Sequence, residues 1–221
     1  MISHSTHYSR EKLRKLESRE IIKMEILAFN RWNTDSIKIE DPGLINYVQL
    51  QPRIVPKTGA RYAGNRFHKS KVFIVERFMN KVMIPGHKGK KHFKSSGHIT
   101  GKSQKAYDIM EKVLKLIEQK TKENPIKVLV KAIENAAPRE EIISIEYGGA
   151  RYPKAVECAP QRRIDIAMRY MTQGAYQKSF NKKVSIEQCL VNEILGAYQI
   201  TQDSNAISKK LEVERQADAS R

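Results

Sequence analysis

The stretch EEIISIEYGGARYPKAVECAPQRR, residues 140–163, decides how the rest of the chain is read. Ile143, Ile145 and Tyr147 alternate, Gly148-Gly149 interrupts, and Ala150, Tyr152 and, past Pro153, Val156 resume. Alternation is the period of a strand. A two-residue Gly-Gly connection suits a primed hairpin turn, because both central residues need positive φ. That register sets Glu146 opposite Arg151, a favourable cross-strand pair. Two strands alone are marginally stable, so the hairpin, at about residues 141–158, either packs on helices or projects from them towards a partner. Beyond it Pro160 begins a helix and puts Arg162 and Arg163 in the first turn. The helix dipole opposes cations there by a few tenths up to about 1 kcal/mol, and nothing within the helix rewards them. A phosphate would, since it accepts from both guanidinium groups and from the free backbone N–H groups at the same helix end. Two exposed arginines under slight strain are the plainer alternative.

Outward from this stretch, helical spacing dominates. KVFIVERFMNKVMIPG places Val72, Val75, Phe78, Met79 and Val82 on one face and stops at Pro85-Gly86. SQKAYDIMEKVLKLIEQKTKEN repeats the pattern through Ile109, Met110, Val113, Leu116 and Ile117. NPIKVLVKAIENAAP opens with Asn124 as N-cap and Pro125 at the first helical position. PQRRIDIAMRYMTQGAYQK continues as a helix through Ile166, Ala167, Tyr170 and Met171. Ser185 and Gln188 form a capping box for SIEQCLVNEILGAYQ, and a last helix begins near Ser204. These apolar faces are core. Residues 1 to about 31 read as a charged, partly helical arm, and the Pro- and Gly-punctuated text from there to about Lys71 as extended chain lying on something rather than packing on itself. The fold expected is mainly α: a bundle of about six helices with one protruding β-hairpin and a basic N-terminal extension. An arm and extended segment occupy residues 1–70 and a helical domain residues 71–221.

Charge narrows the function. The 221 residues carry 41 Lys+Arg against 24 Asp+Glu, a net +17, and the mean hydropathy is −0.58. Such an excess repels itself and persists where a polyanion neutralises it: nucleic acid first, an acidic membrane surface second, a merely solvated surface third. No window approaches the roughly 18 apolar residues of a membrane span, and the start lacks the apolar run of a signal peptide, so a soluble intracellular protein is expected. Between residues 53 and 105 stand 14 Lys/Arg and one acid, Glu76, with Tyr62, Phe67 and Phe93 interleaved as platforms for unpaired bases. That lopsidedness points to phosphate binding. GHITGKS, residues 97–103, falls one residue short of a phosphate loop and follows no apolar strand, so its Gly-Lys-Ser simply starts a helix. His87, His92 and His98 match no metal template and lie among lysines that repel a cation. Cys158 and Cys189 read as two buried thiols. No constellation of catalytic type occurs, and no cofactor or metal is implied.

GGARYPKAVECAPQRRIDIAMRYM resembles the small-subunit ribosomal protein family numbered seven: a Gly-Gly hairpin, an alternating strand, Pro-x-Arg-Arg, and an AMR-aromatic helix, in that order. FMNKVMIPG and NPIKVLVKAIENAAPREE add to the resemblance, and DPGL and GARYAGNRFHKSKVFIVERF look archaeal or eukaryotic; it covers about residue 32 to the end. It implies a non-catalytic protein of the cytoplasmic ribosome that binds ribosomal RNA of the subunit head (the 3′ major domain) and helps nucleate its assembly. The implied hairpin sits near exit-side tRNA, the messenger path and a platform protein. The RNA-binding set expected is Arg53, Lys57, Arg61, Arg66, Lys69, Lys71, Lys102, Arg162, Arg163 and Arg169, with Gly148, Gly149, Arg151 and Lys154 at the hairpin tip. HKGKKHFKSSGHITG enlarges a connection that is short in bacterial members, which leaves the alignment of its GKK open, and Lys90 and Lys91 are assigned no family role. The alternative is a helical RNA- or DNA-binding module outside the ribosome.

Overall fold

In the computed structural model of the chain the described residues are 26–88, 91–92 and 99–221. The expected arm lies outside them up to residue 25, as does much of the His- and Lys-rich loop. Six α-helices are found among the described residues: α1 (Ile74–Val82), α2 (Ser103–Thr121), α3 (Pro125–Ala136), α4 (Pro160–Ser179), α5 (Ile186–Tyr198) and α6 (Asn205–Ala219). Strands β1 (His87–Lys88) and β2 (Lys91–His92) make one short antiparallel pair, β3 (Glu140–Tyr147) and β4 (Ala150–Glu157) the long hairpin.

Local chemistry sets the boundaries. Asn124 Oδ1 accepts from Ile126 N at 3.0 Å and Pro125 begins α3. Ser185 Oγ accepts from Gln188 N at 3.3 Å, whereas the Gln188 amide donates onward to Asn192, so only half of the expected capping box forms. Gly148 and Gly149 have φ of +58° and +81°, as a primed turn requires, and Glu146 pairs with Arg151 across it.

Helix α5 is the centre of the bundle, packing on α2, α3, α4 and α6. It is apolar on nearly every side, the mark of a helix enclosed by others. Its one buried acid, Glu193, is fully enclosed: Oε2 accepts from Ser204 Oγ and from Asn205 N, capping α6, and Lys178 lies 2.6 Å from Oε1. Gly174 of α4 faces this carboxylate so closely that a Cβ would fall 2.9 Å from Glu193 Oε1 and 2.7 Å from Asn205 Cβ.

Residues 26–50 differ from the expectation of chain lying on something else. Ala28, Trp32, Ile37, Leu44 and Val48 are buried in the same core as the helices. Phe29 stacks on Tyr107 of α2 with centroids 4.8 Å apart, and Ile74 N donates to Gln49 O. Single apolar residues at irregular spacing do this work, which is why no periodicity announced it. The hairpin, by contrast, stands clear of the bundle, with Tyr147 81% exposed. Its base is held by α6, where Glu214 accepts from Arg139 N and Arg221 reaches Glu140.

Candidate nucleic-acid interface

Between Asp41 and Glu76 the chain contains no acid, yet it carries Arg53, Lys57, Arg61, Arg66, Lys69 and Lys71. The segment runs through successive turns into a 3-10 turn at His68–Lys71, with Gly59, Ala60 and Phe67 at positive φ. One buried group pins it. Glu76 of α1 turns inward, and its Oε1 accepts from Thr58 N at 2.7 Å and Thr58 Oγ1 at 2.8 Å. The sole acid of the 53–105 stretch is therefore spent as an anchor, and the outer face of the segment is uniformly cationic. Lys57, Arg61, Arg66 and Lys71 are exposed on that face, as is Lys102 just before α2. Arg53 lies 5.5 Å from the Tyr62 ring centroid and donates to its hydroxyl, while Arg66 lies 5.1 Å over Phe67. The Arg53 bond holds the Tyr62 phenol below its usual pKa. Of the rings expected to stack on bases, Tyr62 and Phe67 thus carry guanidinium groups instead in the free protein, and Phe93 lies outside the described residues.

A second cluster forms where α1 and α4 meet the 3-10 turn. Asp165 Oδ2 is 2.6 Å from Lys69 Nζ, and its Oδ1 is 3.2 Å from Arg77 Nη2 and 4.0 Å from Lys81 Nζ. Burial opposes ionisation of Asp165, but the Lys69 bond and the charges of Lys81 and Arg77 outweigh it and hold the carboxyl below the usual carboxylate range. Lys81 is depressed by burial first and then, against the pull of Asp165, by the neighbouring charges of Lys69, Arg169 and Arg77. Lys69 and Arg169, expected site residues far apart in sequence, both bear on Lys81 through their charge.

Arg162 and Arg163 have partners inside the chain. Arg162 grips Glu141 of β3 with both carboxylate oxygens, Nε to Oε1 at 2.7 Å and Nε to Oε2 at 2.8 Å, and its side chain stays 54% exposed. Arg163 is buried: Nε donates to Pro138 O at 3.0 Å and Nη2 to Asp41 Oδ2 at 2.7 Å. Burial of Asp41 is outweighed by this bond and one from Gly43 N, which hold its carboxyl low. The unfavourable placement against the helix dipole is thus rewarded by tertiary carboxylates, one on the hairpin and one on the 26–50 segment. Arg163 is not available at the surface. Arg151 and Lys154 are exposed on the hairpin beside Gly148 and Gly149.

Sequence reasoning counted Arg77 and Lys81 as charges without assigning them a site, and it passed over Asp165 as one more helical residue. The available signal was the spacing of Arg77 and Lys81, like charges one turn apart on α1. Cys158 and Cys189 are buried, and burial, aided by the charge of Glu141, pushes the Cys158 thiol up to about 11. Among the described residues no cluster of His, Cys, Asp and Glu could hold a metal ion, and no helix is long and apolar enough to cross a membrane.

Comparison with known proteins agrees with this arrangement. The family model described as ribosomal protein S7p/S5e matches residues 45–221. The small ribosomal subunit protein uS7 of Nanoarchaeum equitans is 50% identical over 198 residues, 90% of this chain and 100% of that protein. Proteins of the same name from Archaeoglobus fulgidus and Methanothermobacter thermautotrophicus are each 45% identical, covering 90% and 86% of this chain and 97% and 96% of their own lengths. With a family model spanning most of the chain and relatives matched nearly end to end, the chain belongs to the ribosomal protein S7p/S5e family.

Proposed function

We propose that this chain is a structural, non-catalytic protein of the small ribosomal subunit, bound to ribosomal RNA and residing in the cytoplasmic ribosome. The observation that carries the reading is the face from Arg53 to Lys71. Four exposed cations, Lys57, Arg61, Arg66 and Lys71, project there, and the nearest acid in sequence, Glu76, is turned into the core. A surface so composed is stabilised by phosphates and by little else. The relatives that match the chain end to end are named as small ribosomal subunit proteins, which points to ribosomal RNA as the polyanion.

In its finer form the reading places the chain in the subunit head, helping to nucleate the 3′ major domain. The hairpin tip, with Arg151 and Lys154, then faces exit-side tRNA, the messenger path and a platform protein. Its separation from the bundle supports a contact role of this kind, because Ile143, Ile145 and Tyr152 remain exposed on it. Arg163 leaves the RNA-facing set because it is buried; Arg162, Lys102 and Arg169 stay in it.

The experiment is co-sedimentation with small subunits over a salt series, comparing the protein with a variant that carries Lys57→Glu, Arg61→Glu and Arg66→Glu together. The variant should leave the subunit at far lower salt while keeping its helical circular dichroism. Unchanged co-sedimentation would remove the cationic face from the interface. Equal competition by generic duplex DNA would favour a non-ribosomal nucleic-acid module.

A further inference from the structure

The cleft around Asp165 carries a more specific assignment, resting on the RNA-binding reading above. It is an open cavity of about 310 Å³ bounded by Tyr62, Lys69, Arg77, Lys81 and Asp165. Arg169, one turn farther along α4, is close enough for its charge to depress Lys81. Three cations, Lys69, Arg77 and Lys81, stand within 4.0 Å of one carboxylate, so three minus one leaves two positive charges uncompensated. Arg77 is deeply buried, and among the described residues its Nε has no hydrogen-bond partner. Each of these cations loses hydration on burial, and a single carboxylate shared among three replaces it poorly.

We propose that this cleft is a subsite for one backbone phosphodiester of RNA, and that Asp165 is an internal stand-in holding the cations in position until that phosphate arrives. The two non-bridging oxygens of a phosphodiester can accept one from each ammonium group, Lys69 and Lys81, whereas the carboxylate fixed on α4 leaves Lys81 4.0 Å away, beyond hydrogen-bond reach. Lys69 is the group that moves. Its side chain is 44% exposed, so its ion pair is screened by solvent and it exchanges Asp165 for phosphate readily. Asp165 keeps buried Arg77, whose own removal from a carboxylate would be expensive. Thr58, pinned by Glu76, holds the neighbouring wall of the cleft in place.

The test uses the full chain, a transcript of small-subunit ribosomal RNA and filter binding across a potassium chloride series. Lys81→Met and Lys69→Met are each expected to weaken binding about five- to tenfold near physiological salt and to lower the log-log salt slope by about 1. Asp165→Asn should tighten binding several-fold, since the competitor is gone. Lys127→Ala, on the exposed face of α3, should change neither quantity. Wild-type slope and affinity in both Lys81→Met and Lys69→Met would overturn the subsite while leaving RNA binding intact; wild-type binding indifferent to salt would instead defeat the RNA reading itself. Should Asp165→Asn fail to fold, the other two variants decide the matter alone. Thermal melts in inorganic phosphate against chloride at equal ionic strength supply a second arm. The wild type should gain stability in phosphate and Lys81→Met should not. An equal gain in both overturns the site. A gain that depends on Lys81, with RNA affinity unaffected, overturns the assignment to RNA in favour of a free anion.

Discussion

Replacing Arg163 by Met separates two roles that its position leaves entangled, a phosphate ligand and an internal clamp. Arg163 makes two charge-assisted bonds, to Pro138 O and to Asp41 Oδ2, with its side chain 10% exposed and that of Asp41 24%. Bonds to charged groups contribute about 1.5–3 kcal/mol each, offset in part by the desolvation that a guanidinium no longer suffers once it is gone. Met retains most of the apolar stem, so little packing is lost. The expected destabilisation is about 2–3 kcal/mol. Arg162→Met, at an exposed though bidentate pair, should lose about 1 kcal/mol or less. Urea denaturation followed by two probes reads this out. Trp32 is the only tryptophan and is buried in the 26–50 segment that carries Asp41, whereas far-ultraviolet dichroism reports the helices. In Arg163→Met the Trp32 transition should move to lower urea ahead of the helical one, because the clamp joins that segment to α4. A double-mutant cycle with Asp41→Asn should give a coupling of about 1–3 kcal/mol. The clamp is refuted if Arg163→Met loses under about 0.5 kcal/mol while RNA affinity collapses; a phosphate ligand would behave that way.

Three further outcomes follow from the same geometry. Glu193→Ala should cost about 3–5 kcal/mol in chemical denaturation, since it removes the partner of Lys178 and the cap of α6 together. Gly174→Ala should destabilise by about 1–3 kcal/mol, because its Cβ meets Asn205 and Glu193 inside van der Waals contact; a neutral result in thermal melts would mean that α6 shifts freely. Asp41 and Asp165 both have folded pKa values below their unfolded ones, so their stabilisation is complete above about pH 4 and is lost as pH falls through the folded values. Asp41→Asn should accordingly flatten the acid limb of the stability curve, measured as urea midpoints from pH 6 down to about pH 2.

The helices and the hairpin were legible because each announces itself locally. Val75, Phe78, Met79 and Val82 recur at helical spacing, and Gly148-Gly149 allows one turn and one register. The joining of residues 26–50 to the core was not legible, since Trp32, Leu44 and Val48 show no period, and each is fixed by elements distant in sequence. The candidate interface divides the same way. Its charge excess stands in the composition, but which cations are free is a tertiary property: Arg162 and Arg163 look alike as neighbours, and only one reaches the surface. Asp41 lies 122 residues from Arg163, and no local rule links them.

The hairpin is attached at one end only, and that makes it a lever. Its strands are eight residues long, so at about 3.3 Å per residue the tip stands roughly 25 Å from its base. A rotation of about 10° at the clasp formed by Glu140, Glu214, Arg139 and Arg221 would carry Gly148 through some 4–5 Å, about the spacing of two paired strands. Sub-ångström adjustments where α6 meets the first residues of β3 are thus magnified at the tip, and the C-terminal helix sets the aim of a contact it never touches.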